Sequence, residues 1–313
     1  MPSRWLASLA ILTGLLVWFR PERLIEQVGA FDERWMLAAL GIGVVQVGLS
    51  AWRWHFTARC LGLVMSYRRA LQEYYLGSLV NQVLPGGVLG DAYRAKRHAD
   101  QSPQKSPAWF AVIIERLSGQ LALAVVAVVV IAQSATWQPL LNEAWGLVGI
   151  GGMAWPGVLT YLGAAVAIIG VGWAATRKAV FQSLWASFSQ SLRACFWPFH
   201  RGAFQLASSL AIVATYVAVF VLAAWAIGVD QPWPFLVAVA PALLLAMVVP
   251  ITVSGWGLRE LVAAGVWSTL GLDPAQGVAV SVAYGVLIFL TALPGTLMWQ
   301  HRHGSSAKTS TRH

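Results

Sequence analysis

Apolar residues dominate this chain in long stretches, each closed by a short polar or charged segment. Read with a window of about 19 residues, the pattern predicts six full membrane-crossing helices, over 4–20, 35–52, 108–131, 155–175, 205–229 and 277–299. A span of about 20 such residues matches the hydrocarbon core of a bilayer. Two further apolar stretches are interrupted. The first, 71–90, contains Asn81, Pro85, Gly86, Gly87 and Gly90, and the second, 235–270, is broken by Pro250 and then by Ser254-Gly255-Trp256-Gly257. Helix-breaking backbone at membrane depth persists only where protein or a wet cavity satisfies its polar groups, so each reads as a re-entrant or broken helix. The expected fold is an all-α polytopic membrane protein, with one integral membrane domain over 1–300 and a short polar cytoplasmic tail over 301–313.

Composition agrees. Apolar residues make up 58% of the chain and charged residues 11%, against roughly 25% charged in a soluble domain. The longest hydrophilic stretches, 53–69, 94–107 and 177–201, are too short for an independent domain. Arg4 followed by residues 5–19 resembles a signal peptide, but Trp18-Phe19-Arg20-Pro21 offers no small-residue cleavage site, so this segment is expected to stay as the first span.

The net charge of +9 is explained by the positive-inside bias before any nucleic-acid partner is invoked. With the N-terminus, 53–107, 176–204 and the tail on the cytoplasmic side, every Lys and Arg falls there except Arg20, Arg23, Arg34, Arg116 and Arg259. This places both termini inside a bacterial inner membrane, and makes the first broken segment enter from inside and the second from outside. Cys60 and Cys195 both lie in basic segments, so no disulfide framework is expected. Trp5, Trp18, Trp35, Trp52, Trp54, Trp109, Trp173, Trp233 and Trp299 stand near span ends, where an amphipathic ring suits the headgroup layer. Phe181, Leu184, Trp185, Phe188 and Leu192 recur at helical spacing opposite Gln182, Ser183, Ser187, Ser189 and Arg193, which predicts an amphipathic helix in the interface, packed on the protein.

The two interrupted segments share a plan. Each runs from an apolar helix through Pro and a glycine-rich break to an acid and an arginine that open the next helix: Asp91 and Arg94 in one, Arg259 and Glu260 in the other. Entering from opposite sides, they read as halves of an inverted-topology repeat, an arrangement that places helix ends near the midplane of transporters. A helix starting just after such a break aims its positive end at the gap, and an arginine fork matches phosphate. Asp91 and Glu260 would pair with the arginines or couple protons. Glu115 and Arg116 form a third intramembrane acid and base. Adjacent positions on a helix point apart, so each needs a partner on another element. A charge at the bilayer centre costs roughly 2.5–3.5 kcal/mol on insertion scales, which makes a purely structural use of these groups expensive, though not forbidden.

Asn81-x-x-Leu84-Pro85-Gly86-Gly87-x-x-Gly90-Asp91-x-x-Arg94, then Glu115-Arg116, then Pro250…Gly255-x-Gly257-x-Arg259-Glu260, resembles the lysylphosphatidylglycerol synthase transmembrane family, the flippase-like domain family, over roughly residues 5–300. In full-length synthases the family implies a domain that flips aminoacylated lipid made by a soluble C-terminal domain. Here the chain ends at His313 after a short tail, so lysyl transfer is not carried over, and separately encoded lipid-synthesis enzymes are the expected partners. One departure is Val88-Leu89, where the family pattern suggests further glycine.

The leading expectation is therefore a lipid translocase or exporter for an anionic or glycosylated lipid, without cofactor. Substrate would be handled by Asn81, Pro85, Gly86, Gly87, Gly90, Asp91, Arg94, Glu115, Arg116, Pro250, Gly255, Gly257, Arg259 and Glu260. Arg94 and Arg259 would hold the headgroup. No G-x-x-x-x-G-K-[ST] loop is present, so an ion gradient or the lipid's own gradient would supply the energy. Four of the six His (His98, His200, His301, His303) lie in loops or the tail without metal-ligand spacing. Two other classes compete. A polyprenyl-phosphate-dependent glycosyltransferase would use Asp32-Glu33 in the first outer loop, and a non-catalytic scaffold would tolerate neutral replacements of the buried charges.

Overall fold

A computed structural model describes residues 32–84, 87–138, 179–248 and 254–298, with the isolated positions 13 and 142. The expected spans 4–20 and 155–175, the polar tail, Pro85, Gly86 and Pro250 lie outside the described residues. Every described element is a helix: α1 (Glu33–Cys60), α2 (Tyr67–Val83), α3 (Leu89–Asp100), α4 (Lys105–Gln133), α5 (Ala179–Phe196), α6 (Phe199–Ala226), α7 (Trp233–Ala246), α8 (Leu258–Thr269) and α9 (Pro274–Ala292). Four are long and apolar enough to cross a membrane, namely α1, α4, α6 and the rod Pro274–Met298 that α9 begins. The chain is a multi-pass all-α membrane protein.

The most extensive pairing joins α1 to α6. The two run antiparallel. The Asp32 N–H donates to the Ala226 carbonyl at one end (3.0 Å), and Gln205 donates to the Thr57 hydroxyl towards the other (2.8 Å). Trp35 stacks near Trp225, and Phe204 receives both Trp52 and Phe56. A core of aliphatic and aromatic side chains from α6, α7, α8 and α9, including Phe220, Leu236, Leu243, Trp267 and Tyr284, fills one half of the molecule. A second cluster, including Ala51, Trp54, Ala70, Tyr75 and Ala111, binds α1, α2, α3 and α4 in the other.

Both interrupted segments are broken as the residue pattern predicts. α2 ends at Val83 and α3 starts at Leu89, with Gly87 at φ 61° between them. α7 ends at Ala246 and α8 starts at Leu258, after Ser254, Gly255 and Gly257 at φ 49°, 81° and 90°. Side chains rarely adopt these values, so the glycines are what allow α8 to restart at a new angle.

Three sequence expectations change. The span expected over 35–52 does not end at 52. α1 continues to Cys60, which carries Arg53 into the protein interior at 3% exposure instead of a loop. The hydrogen-bonded helix is maintained because Arg53 finds an acid and a hydroxyl on neighbouring helices. Trp54 is not an interfacial residue: it is fully buried, with its ring facing the Arg94 guanidinium at 4.6 Å. α5 is helical as expected, but its Leu184 and Trp185 remain exposed while Phe188 meets Phe110. Only part of its apolar face is packed on protein.

Candidate functional site

Four turns of α1 present Gln46, Ser50, Arg53 and Thr57 at helical spacing, and all four are buried. This polar stripe on an apolar helix is visible in the sequence once α1 is continued past Trp52. Facing it, α6 contributes Gln205, Ser208 and Ser209, also buried. Arg53 Nη1 donates to the Ser209 hydroxyl (2.8 Å), and its Nη2 donates to Glu115 Oε1 on α4 (2.6 Å). Gly119, one turn beyond Glu115, makes the room: a Cβ there would stand 2.9 Å from Arg53 Nη2.

Glu115 is the centre of a chain of alternating charges. Its Oε2 accepts from Arg94 Nη2 (2.5 Å), and Arg94 Nε donates to Asp91 Oδ1 (3.0 Å). Asp91 Oδ2 in turn lies 2.6 Å from Arg116 Nη2. The order is Arg53, Glu115, Arg94, Asp91, Arg116, three cations and two anions, so one positive charge is left over among the described residues. Glu115 and Arg116 do point apart on α4 and take their partners from α1 and α3, as adjacency on a helix requires. Arg94 is further enclosed by Trp54 and Tyr74, each ring 4.6 Å from its guanidinium carbon. Cations desolvated between aromatic faces gain from the ring quadrupoles, which helps to hold Arg94 at 1% exposure.

Asn81 links the break to this chain. Its Oδ1 accepts from the Gly90 N–H (2.7 Å) and its Nδ2 donates to Asp91 Oδ2 (3.2 Å). The side chain thereby caps α3 from across the break, a role that Val88 at the cap position does not fill. At the second break, Glu260 Oε2 accepts from the Gly257 N–H (2.6 Å). Glu260 Oε1 accepts from Arg259 Nη2 (2.7 Å) and from the Ser281 hydroxyl (2.8 Å). Arg259 lies between Trp256 and Tyr284, 5.3 and 5.1 Å from their rings. Gly285 leaves the space, since a Cβ there would meet the guanidinium and the Trp256 ring. At both breaks, therefore, one helix-start N–H that the sequence suggests for an anion is taken by a neighbouring side chain.

The tips of the two breaks touch. The Ser254 hydroxyl donates to Gln82 Oε1 at 2.7 Å, and a Cβ on Gly87 would lie 4.0 Å from the Ser254 Cα. Beside this contact is a cavity of about 590 Å³ lined by α1, α2, α3, α4, α6, α7 and α9 and by both breaks. The structure thus gathers Asn81, Gly87, Asp91, Glu115 and Arg116 at one cavity wall, while Arg94 and Gly90 stand behind it and Gly255, Gly257, Arg259 and Glu260 brace the second break. Of the cations expected to meet a ligand, Arg94 and Arg259 are enclosed by their own partners. Arg116 is the more open, with 37% of its side chain exposed. Gln46, Arg53, Tyr216 and Tyr284 also line the cavity and were not among the sequence candidates. Each is a single polar or amphipathic residue within an apolar run, a weak signal one residue at a time.

Outside the cavity, His98 on α3 is buried, with its ring edge-on to Trp54 at 5.7 Å. Burial first, then the neighbouring Arg69, push its imidazole below the ordinary 6.5, with Glu73 opposing. The folded state therefore holds His98 neutral, and the unfolded chain binds the proton more readily. Stability is full above about pH 6.5 and falls as pH drops below it towards the lower folded value. Melting in detergent between about pH 7.5 and 5 should show this loss. His98→Phe, which keeps a ring on Trp54, should flatten the profile. An unchanged slope would remove His98 as its source.

Among the described residues, no group of three or more His, Cys, Asp and Glu is placed to hold a metal ion. Asp32, the acid of the glycosyltransferase alternative, accepts a hydrogen bond from the Arg34 N–H (2.9 Å) and so caps α1. Comparison with curated proteins gives no match. The sequence profile of the Lysylphosphatidylglycerol synthase TM region matches residues 5–295. With the two broken helices, the buried alternating charges and a profile covering nearly the whole chain, this protein belongs to the lysylphosphatidylglycerol synthase transmembrane family.

Proposed function

We propose that this protein translocates an anionic lipid, taking the headgroup into the cavity between the two broken helices from the cytoplasmic side of a bacterial inner membrane. The observation that carries this reading is the charge chain from Arg53 to Arg116, which leaves one cation in excess and ends on the arginine open to the cavity. An uncompensated charge at membrane depth is costly, and a phosphate that pairs with Arg116 would offset that cost. Arg116 then meets the headgroup directly. Arg94 is a positioning residue that aligns Asp91, and Arg259 with Glu260 sets the angle of α8. The Gln82–Ser254 contact, the meeting point of the breaks, is the natural place for the path to part during transport. Family membership supports a role with membrane lipid, and separately encoded lipid-synthesis enzymes would supply the substrate.

The test is leaflet sidedness of fluorescent phosphatidylglycerol in proteoliposomes. Wild type should move it. Arg116→Gln should slow movement about tenfold or more, the value of one lost charge-assisted contact, while remaining monodisperse in detergent. Asp91→Asn should act in the same direction, because it breaks the pair that holds the Arg116 guanidinium in place and disturbs Asn81. Movement by a folded Arg116→Gln at the wild-type rate would remove the charge chain from the mechanism. For the glycosyltransferase reading, Asp32→Ala should abolish glycosyl transfer. Under the translocation reading it trims a helix cap and leaves transport nearly intact.

A further inference from the structure

Among the described residues, four cavity-lining side chains carry a buried polar atom without a hydrogen-bond partner: Gln46, Arg53, Arg116 and Tyr284. Arg53 and Arg116 belong to the charge chain. Gln46 and Tyr284 do not. Gln46 is 5% exposed and its Oε1 has no donor among the described residues, while Tyr284 is fully buried and its hydroxyl has no partner among them. Gln46 stands about two turns along α1 from Arg53, roughly 10 Å. Tyr284 sits on α9 between the Phe220 ring and the Arg259 guanidinium.

Buried polar groups in folded proteins are nearly always satisfied, and each one left unpaired is destabilising. An apolar side chain would fill either position without that penalty. Nearby polar groups show the contrast: the Thr291 hydroxyl lining the same cavity donates to the Leu287 carbonyl, and Thr57 donates to the Arg53 carbonyl. The missing partners of Gln46 and Tyr284 are expected to arrive with what fills the cavity.

Resting on the translocation reading above, we propose that the cavity also selects for hydroxyl groups on the headgroup, through Gln46 and Tyr284. An amide oxygen without a donor requires a donor on the ligand, and a phenol hydroxyl can give or accept. An ammonium could also donate, but the cavity already holds one cation in excess, so a second is disfavoured there. The matching ligand is a phosphodiester lipid whose headgroup bears neutral hydroxyls, of polyol or sugar type, with its charge near Arg116.

Two probes of equal charge separate this selection from charge recognition. Fluorescent-tailed phosphatidylglycerol carries headgroup hydroxyls, and phosphatidylmethanol carries the same phosphodiester with a methyl cap. In phosphatidylcholine proteoliposomes, wild type should move the glycerol lipid about tenfold faster, the discrimination expected when a site built for a hydroxyl meets a ligand lacking it. Gln46→Leu and Tyr284→Phe should bring the glycerol lipid down to the methyl lipid's rate and leave the methyl lipid unchanged. Arg116→Gln should slow both. Tyr284→Phe keeps the ring and its packing, so it reads the hydroxyl with the fold intact. Equal wild-type rates for the two probes, or variants that slow both alike, would overturn the selection and leave translocation standing. If wild type moves neither probe, translocation and selection fall together.

Discussion

Replacing Glu115 with Gln is expected to destabilise the protein more than loss of any other single acid. Glu115 is fully buried and accepts from Arg53 at 2.6 Å and from Arg94 at 2.5 Å. The substitution keeps the volume but leaves two guanidiniums in the interior facing a neutral amide. Breaking a buried pair by removing one partner costs about 3–5 kcal/mol, chiefly from the uncompensated charge. The exposed pair Lys96–Asp100, joined at 2.8 Å with side chains 69% and 51% exposed, provides the internal comparison. Its loss should cost far less, because water solvates both ends. Reversible unfolding in mixed micelles, monitored for Glu115→Gln and Asp100→Asn side by side, gives the difference directly. Equal midpoints would mean that the charge chain is solvated and that its burial has been misjudged. Arg53→Met combined with Glu115→Gln should recover part of the loss, since one of the stranded cations goes with its partner.

The second large effect is steric. Gly90→Ala places a Cβ inside the Gly77 carbonyl and 2.9 Å from Asn81 Oδ1. Both obstacles belong to the junction of α2 with α3, and the first is backbone, so no rotamer change relieves it. The helices must separate, which breaks the Asn81 cap on α3 and pulls Asp91 away from Arg116. A loss of about 3 kcal/mol is expected, at the upper end of overpacking penalties, together with loss of transport. Gly265→Ala is the control, at an exposed α8 position where a Cβ meets nothing within 4 Å. It should stabilise by about 0.5–1 kcal/mol through the ordinary helix preference of Ala over Gly. Should Gly90→Ala unfold at the wild-type midpoint, the close approach of α2 and α3 would be wrong.

These predictions rest on features that were unequally visible in the chain. Span positions follow from the hydrophobic runs because a bilayer permits few backbone solutions: α1, α4, α6 and α9 lie where the apolar windows place them, and the breaks lie at the glycines. Asp91, Glu115 and Arg116 attract notice for the same reason, as charges at a depth where charge is costly. What each charge pairs with is not encoded locally. Arg53 reads as a loop residue from its place after Trp52, and only the Ser209 and Glu115 partners on α6 and α4 explain its burial. Arg94 and Arg259 look alike as forks facing a gap, yet Arg94 is shut in by Trp54 and Tyr74 from α1 and α2, and Arg259 by Tyr284 of α9 together with Trp256 from its own break.

Hydrophobic periodicity and backbone chemistry, which act over one or two helical turns, thus determined by themselves the helical membrane class, the family pattern and the two interruptions. Tertiary structure alone decided that Asn81 caps α3 from across the break, that Gln82 meets Ser254, and that Arg116 is the cation left open to a cavity. Those outcomes depend on helices brought together from distant parts of the chain. There the pairing of each charge is fixed by which neighbour can desolvate it least expensively, and residue spacing carries no record of that choice.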